Sequence, residues 1–180
     1  NSGTITTPSG GGLYKVVVVD PAGNFSNPSA GTLDVDLTGP KVTSITTSTT
    51  NGVYTDDDVN PSNSDTISFT VNFDEPVTIT GSPRIPLSNI TDSNGNPVYA
   101  TYVSGSGTAS ATFVYTVKEG DLSTGVQILS SGSIDLNGGS VEDLYGNTGD
   151  ASFSTNSVSL STGIELKATD PGLSVTLSSN

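Results

Sequence analysis

Apolar and polar residues alternate with a period of two along much of this chain, which is the signature of half-buried β-strands. In the clearest case, Ile67, Phe69, Val71 and Phe73 alternate with Thr66, Ser68, Thr70 and Asn72. Asp74-Glu75-Pro76 follows and predicts a strand end there, because proline has no N–H to give a ladder. A second clear pattern places Ala109, Ala111, Phe113, Tyr115 and Val117 on one face. With Val98 to Val103 it predicts a hairpin about Ser104-Gly105-Ser106-Gly107. Burying Phe69, Phe73, Phe113 and the aliphatics between them is worth roughly 1.5–3 kcal/mol per side chain.

Shorter runs fill in the rest. Leu13 to Val19, Thr32 to Leu37, Val42 to Thr46, Val77 to Ile79, Arg84 to Leu87, Val126 to Leu129, Ile134 to Leu136 and Ser152 to Leu160 read as strands. Turn chemistry separates them: Gly39-Pro40, Gly81-Ser82-Pro83, and Asp92 to Pro97 with its Asn94-Gly95 hairpin signal. The polar stretch Ser48 to Asp65 reads as loop. No segment sustains a period of 3.6 with caps. The expected fold is therefore all-β, an antiparallel two-sheet sandwich.

One short string occurs twice, as Asp20-Pro21-Ala22-Gly23-Asn24 and Asp143-Leu144-Tyr145-Gly146-Asn147. Similar exits follow, Val35 to Pro40 and Val158 to Gly163, so the chain reads as tandem modules. Residues 1–37 then hold the last strands of a preceding module, and 38–161 a complete one of about 120 residues, enough to bury a core without staples. Residues 162–180, which alternate at Leu173, Val175 and Leu177, are the start of a third module or a strand that pairs elsewhere. The two or three strands of residues 1–37 cannot close a sandwich alone.

Composition narrows the function. The 180 residues carry 18 Asp and Glu against 5 Lys and Arg, a net charge of −13. Such a surface repels nucleic acid and anionic membranes and attracts cations. The chain contains no Cys, His, Met or Trp, so disulfides, His-based triads and His-ligated zinc are ruled out. No apolar run approaches the length of a membrane span. Low lysine with abundant Ser, Thr, Gly and Asn suits an exported bacterial protein, so a secreted or cell-surface location is expected.

The ordered series Gly52-Val53-Tyr54, Asp65-Thr66-Ile67, Phe73 to Val77, Thr101 to Gly107, and Leu136 to Gly139 followed by Asp143 to Asn147 resembles the bacterial immunoglobulin-like tandem repeats of giant surface and secreted adhesins. The resemblance covers about residues 38–161, and residues 1–37 resemble the end of a neighbouring repeat. It implies an extracellular spacer or stalk, often stiffened by calcium between domains. The expanded Tyr54–Asp65 loop departs from the family pattern, which commonly runs almost directly from Tyr to Gly-Asp.

Immunoglobulin-like topology would gather the linker acids Asp34 and Asp36, the pair Asp74 and Glu75, and Asp143 with Asn147 at one end. Calcium takes six to eight oxygens, and these residues supply carboxylates and an amide carbonyl. Two carboxylates 4 Å apart with no cation repel by about 1 kcal/mol in water. The simpler alternative is that Asp and Asn cap turns and an acidic surface keeps the protein soluble. The second junction has Ser159 where the first has Asp36, which weakens it as a site. Asp56-Asp57-Asp58 with Asn60, Asn63 and Asp65 lacks the EF-hand spacing and its glycine, and reads as a solvated loop.

Catalysis is not expected. Asp74 and Glu75 are adjacent, so on a strand they point apart, unlike a glycosidase pair. Tyr54, Tyr99, Tyr102, Tyr115 and Tyr145 offer a sugar platform or, more simply, core packing. Lys15, Lys41, Lys118 and Lys167 carry no motif for an isopeptide crosslink. Three functions stay open: a stalk segment giving length and stiffness, a filament subunit completed by β-strand addition from an identical subunit, and an adhesin module binding a surface glycan or protein. In the first, the partners are neighbouring modules.

Overall fold

The computed structural model describes residues 8–56, 65–92, 94–123, 125–128, 132–154, 158–159 and 163–168. The acidic run 57–58 with Asn60 and Asn63, and the alternating tail at Leu173 to Leu177, lie outside them. The described residues are all-β, without helix.

The long strand β5 (Thr66–Thr80) organises the chain. Ile67, Phe69 and Val71 are fully buried and Phe73 nearly so, as the alternation requires. Its first half pairs antiparallel with β8 (Thr108–Thr116) on one edge and with β3 (Val42–Thr47) on the other. Asp74-Glu75-Pro76 does not end the strand. The ladder to β8 instead shifts register between Asn72 and Val77, and β5 continues past this bulge to Thr80. Proline is tolerated here because the bulge leaves its nitrogen outside the ladder. The second half then pairs with β12 (Ser140–Glu142), on the edge that β3 uses further down.

β6 (Arg84–Thr91), β7 (Pro97–Ser104) and β8 follow as an antiparallel meander, with β10 (Gln127–Ile128) on the far side of β6. β14 (Val158–Ser159) closes the other edge by pairing parallel with β3. The resulting eight-stranded sheet curls into a half-barrel. Phe69, Phe113, Ile45 and Ile85 fill it, with Tyr102 edge-on to Phe113 at 5.8 Å between ring centroids.

The Ser48–Asp65 stretch contains a strand as well as loop. β4 (Gly52–Tyr54) pairs parallel with β15 (Ile164–Lys167), which pairs antiparallel with β9 (Leu122–Ser123). Ile164, Leu166 and Ala168 are buried in the same core as the sheet. Ala168 is held by Asp121, whose carbonyl accepts its N–H and whose buried carboxylate takes the Tyr115 hydroxyl at 2.5 Å. β11 (Gly132–Ser133) and β13 (Ser152–Phe153) form a small pair that places Phe153 in the core.

Residues 12–35 form a separate hairpin of β1 (Gly12–Tyr14) and β2 (Leu33–Val35). Main-chain bonds extend it past Val16, Val18 and Ser26 to the turn at Asp20. The linker 36–40 leads from it into the main body.

Candidate metal centre

The site is built on three pieces of chain that the fold forces together. The first is the turn after β12. Asp143 Oδ1 accepts the main-chain N–H of Tyr145 and Asn147, and Oδ2 accepts the Asn147 side-chain amide at 2.7 Å. Gly146 takes φ 87°, a conformation that favours glycine. The second piece is the linker. Asn147 Nδ2 also donates to the Asp36 carbonyl at 3.1 Å, and Asp150 N–H donates to the Pro40 carbonyl at 2.8 Å. Gly39 is pressed onto this turn so closely that a Cβ there would lie 1.9 Å from the Thr148 carbonyl oxygen. The third piece is the β5 bulge, where Asp74 and Lys41 exchange bonds: Lys41 N–H donates to Asp74 Oδ1 and Asp74 N–H to the Lys41 carbonyl. Asp74 is thereby tied to Lys41, and its neighbour Glu75 is the half-buried member of the pair.

One carboxylate oxygen from each of Asp36, Glu75 and Asp143 lies within 4.8 Å of the others. Asp143 is buried, and Asp36 and Glu75 are half-buried. Neither salt bridge among the described residues, Arg84–Asp135 and Lys167–Glu165, reaches the cluster. Burial, and then the charges of Asp36, Asp143 and Asp74, push the Glu75 carboxyl above the usual glutamate range. Burial acts on Asp143 in the same direction, but the bonds from Asn147, Tyr145 and Gly146 outweigh it and hold this carboxyl low. Asp36 is steadied by Thr38, whose N–H and hydroxyl both bond Oδ1.

Of the residues singled out from the sequence, Asp36, Glu75 and Asp143 come together, and Asn147 bonds two of them. Asp34 lies on β2 opposite Leu13, and Asp74 is turned to Lys41, so neither joins the cluster. Comparison with protein-family models, curated proteins and solved structures finds no match. The reading of the site therefore rests on its own geometry. Oxygens on opposite sides of a calcium ion at 2.3–2.6 Å are about 4.6–5.2 Å apart, so a set no wider than 4.8 Å needs little movement to close on one.

A third copy of the turn escaped the sequence reading. Asp92-Ser93-Asn94-Gly95-Asn96 has the same Asp, Gly and final Asn that the other two share, and Asp92 bonds Asn94 and Asn96 as Asp143 bonds Tyr145 and Asn147. Asp20 makes the same set to Ala22 and Asn24. The turn is thus a folding device in its own right. Among the described residues, only the Asp143 copy belongs to a group of three converging carboxylates.

The tyrosines form no platform there. Tyr54 and Tyr102 pack against the core, Tyr115 is buried, and Tyr99 lies under the Arg84 guanidinium at 4.0 Å. Tyr145 alone among these is exposed, on the Asp143 turn. Lys15, Lys41, Lys118 and Lys167 are all exposed, without the enclosure an isopeptide bond needs.

Proposed function

We propose that this chain is a segment of an extracellular bacterial stalk built from tandem immunoglobulin-like modules, and that calcium fixes each linker to the module it enters. The observation that carries this reading is the meeting of linker and body. Asp36, in the linker, shares a carboxylate cluster with Glu75 and Asp143 of the body, and no cationic side chain neutralises it among the described residues. A divalent ion would turn three mutually repelling charges into a clamp across the joint. Because the linker is already seated through Asn147, Gly39 and Pro40, the ion would stiffen a geometry that exists rather than create one.

The stalk reading gives the chain no enzymatic role. The test is calorimetric titration with calcium, paired with small-angle scattering in calcium and in EGTA. Saturable binding with one ion per joint, accompanied by a narrower distribution of lengths, is the expected result. No binding at millimolar calcium would overturn the metal clamp.

A further inference from the structure

We infer that the open edge of the hairpin Gly12–Val35 is a docking edge for one antiparallel strand of the Val77–Thr80 kind, supplied by another module of this fold. The argument comes from comparing two hairpins that share a turn. Around Asp143, the Gly149 N–H bonds the Val141 carbonyl and Asp143 N–H bonds the Asn147 carbonyl. Around Asp20, Ser26 N–H bonds the Val18 carbonyl and Asp20 N–H bonds the Asn24 carbonyl. Val17, Val18 and Val19 therefore correspond to Ser140, Val141 and Glu142.

In the body that edge is occupied: Ser140, Val141 and Glu142 pair with Thr80, Ile79 and Thr78 of β5. Val141 is consequently 1% exposed, whereas Val18 is 67% exposed. Val16, Val18 and Asp20 turn their main-chain groups inward to the second arm, so Val17 and Val19 turn theirs outward. No hydrogen bond among the described residues reaches those outward amides. On the same arm Leu13, Val16, Val17 and Val19 are exposed. A row of unpaired main-chain groups flanked by β-branched side chains is a template for strand addition. The body's own β5 cannot serve in trans, since β12 already holds its edge. The occupant is thus a strand of alternating β-branched and Thr residues whose own edge is free, from a module of this fold for which Gly12–Val35 is the matching hairpin.

The inference rests on the tandem-module part of the proposed function but not on the metal, so its test is run in EGTA. A second copy of Asp74–Gly81 is fused ahead of the full chain through a flexible Gly/Ser linker, which supplies the strand at an effective millimolar concentration. Amide hydrogen exchange is then read residue by residue. The expected result is at least ten-fold slower exchange at Val17 and Val19, with Glu142 protected as in the parent chain and no effect from a fused strand carrying Ile79→Pro. Unchanged exchange at Val17 and Val19 would overturn the inference. So would protection that appears without the fused strand and rises with protein concentration, which would assign the edge to a second copy of the hairpin. Failure of the calcium clamp would leave these exchange rates untouched, so the two results are separable.

Discussion

Replacing Glu75 by Gln should change stability in opposite directions with and without calcium. In the metal-free chain, Glu75 sits against Asp36 and Asp143, and burial with these charges raises its proton affinity. A carboxyl whose folded value is raised contributes stability below the ordinary glutamate range and loses it as pH rises through that raised value. At neutral pH its charge is therefore a burden that Gln removes. Unfavourable charge contacts at a partly exposed site are worth a few tenths to about 1 kcal/mol, or roughly 1–5 °C in melting temperature for a body of this size. With calcium the sign reverses. An ion at 100 times its Kd stabilises the folded chain by about 2.7 kcal/mol, roughly 8–15 °C here, and removing one of three carboxylates should forfeit most of that gain. Melting both chains in EGTA and in calcium, at pH 7.5 and again near pH 5, gives four comparisons. The calcium shift should shrink at the lower pH, because protons compete for Glu75. A variant that is less stable than the parent in EGTA, with an unchanged calcium shift, would refute the reasoning.

The turn copies supply a control: Asp92→Ala should lower stability without altering the calcium shift, whereas Asp143→Ala should abolish the shift, both read by melting. Because the Asn96 side chain and main chain hold Asp92 below the aspartate range, its contribution is present above that range and lost as pH falls through the folded value, and a pH series of the D92A variant should show it. Gly39→Ala drives a Cβ into the Thr148 carbonyl and should cost about 1–3 kcal/mol, measured by urea unfolding, with faster proteolysis between residues 36 and 40. Phe113→Ala should cost about 3–5 kcal/mol in the same assay. Tyr115→Phe leaves the buried Asp121 carboxylate with the Lys118 N–H alone and should cost about 1.5–3 kcal/mol.

How much of this was legible depended on whether a residue's fate is set by its neighbours in sequence. Thr66 to Phe73 and Ala109 to Val117 could be read because each strand is covered on one face along its length, so the period of two survives in the sequence. β4 and β12 could not. Each is three residues long, and their partners, Ile164–Lys167 and Val77–Thr80, stand far away in the chain. The passage of β5 through Pro76 was hidden for a related reason. Proline forbids a ladder bond but not a bulge, and only the register of β8 decides between them.

The candidate site divides along the same line. Asp74 and Glu75 are adjacent in the bulge, and the bond from Lys41 N–H takes Asp74 while Glu75 joins Asp36 and Asp143. Asp34 and Asp36 are two apart and would share a face on a straight strand. β2 ends at Val35, however, and the Thr38 bonds fold Asp36 into the linker turn, away from Asp34. Three carboxylates thus remain, one from each piece of chain, and none of the three pieces can carry the site alone. That dependence makes the cluster a property of the joint: any change that unseats the linker from Asn147 should abolish calcium binding, even with Asp36, Glu75 and Asp143 all intact. Asn147→Ala, titrated with calcium, puts this to the test. Retention of parental affinity would show that the ion, rather than the linker's own bonds to the turn, holds the joint together.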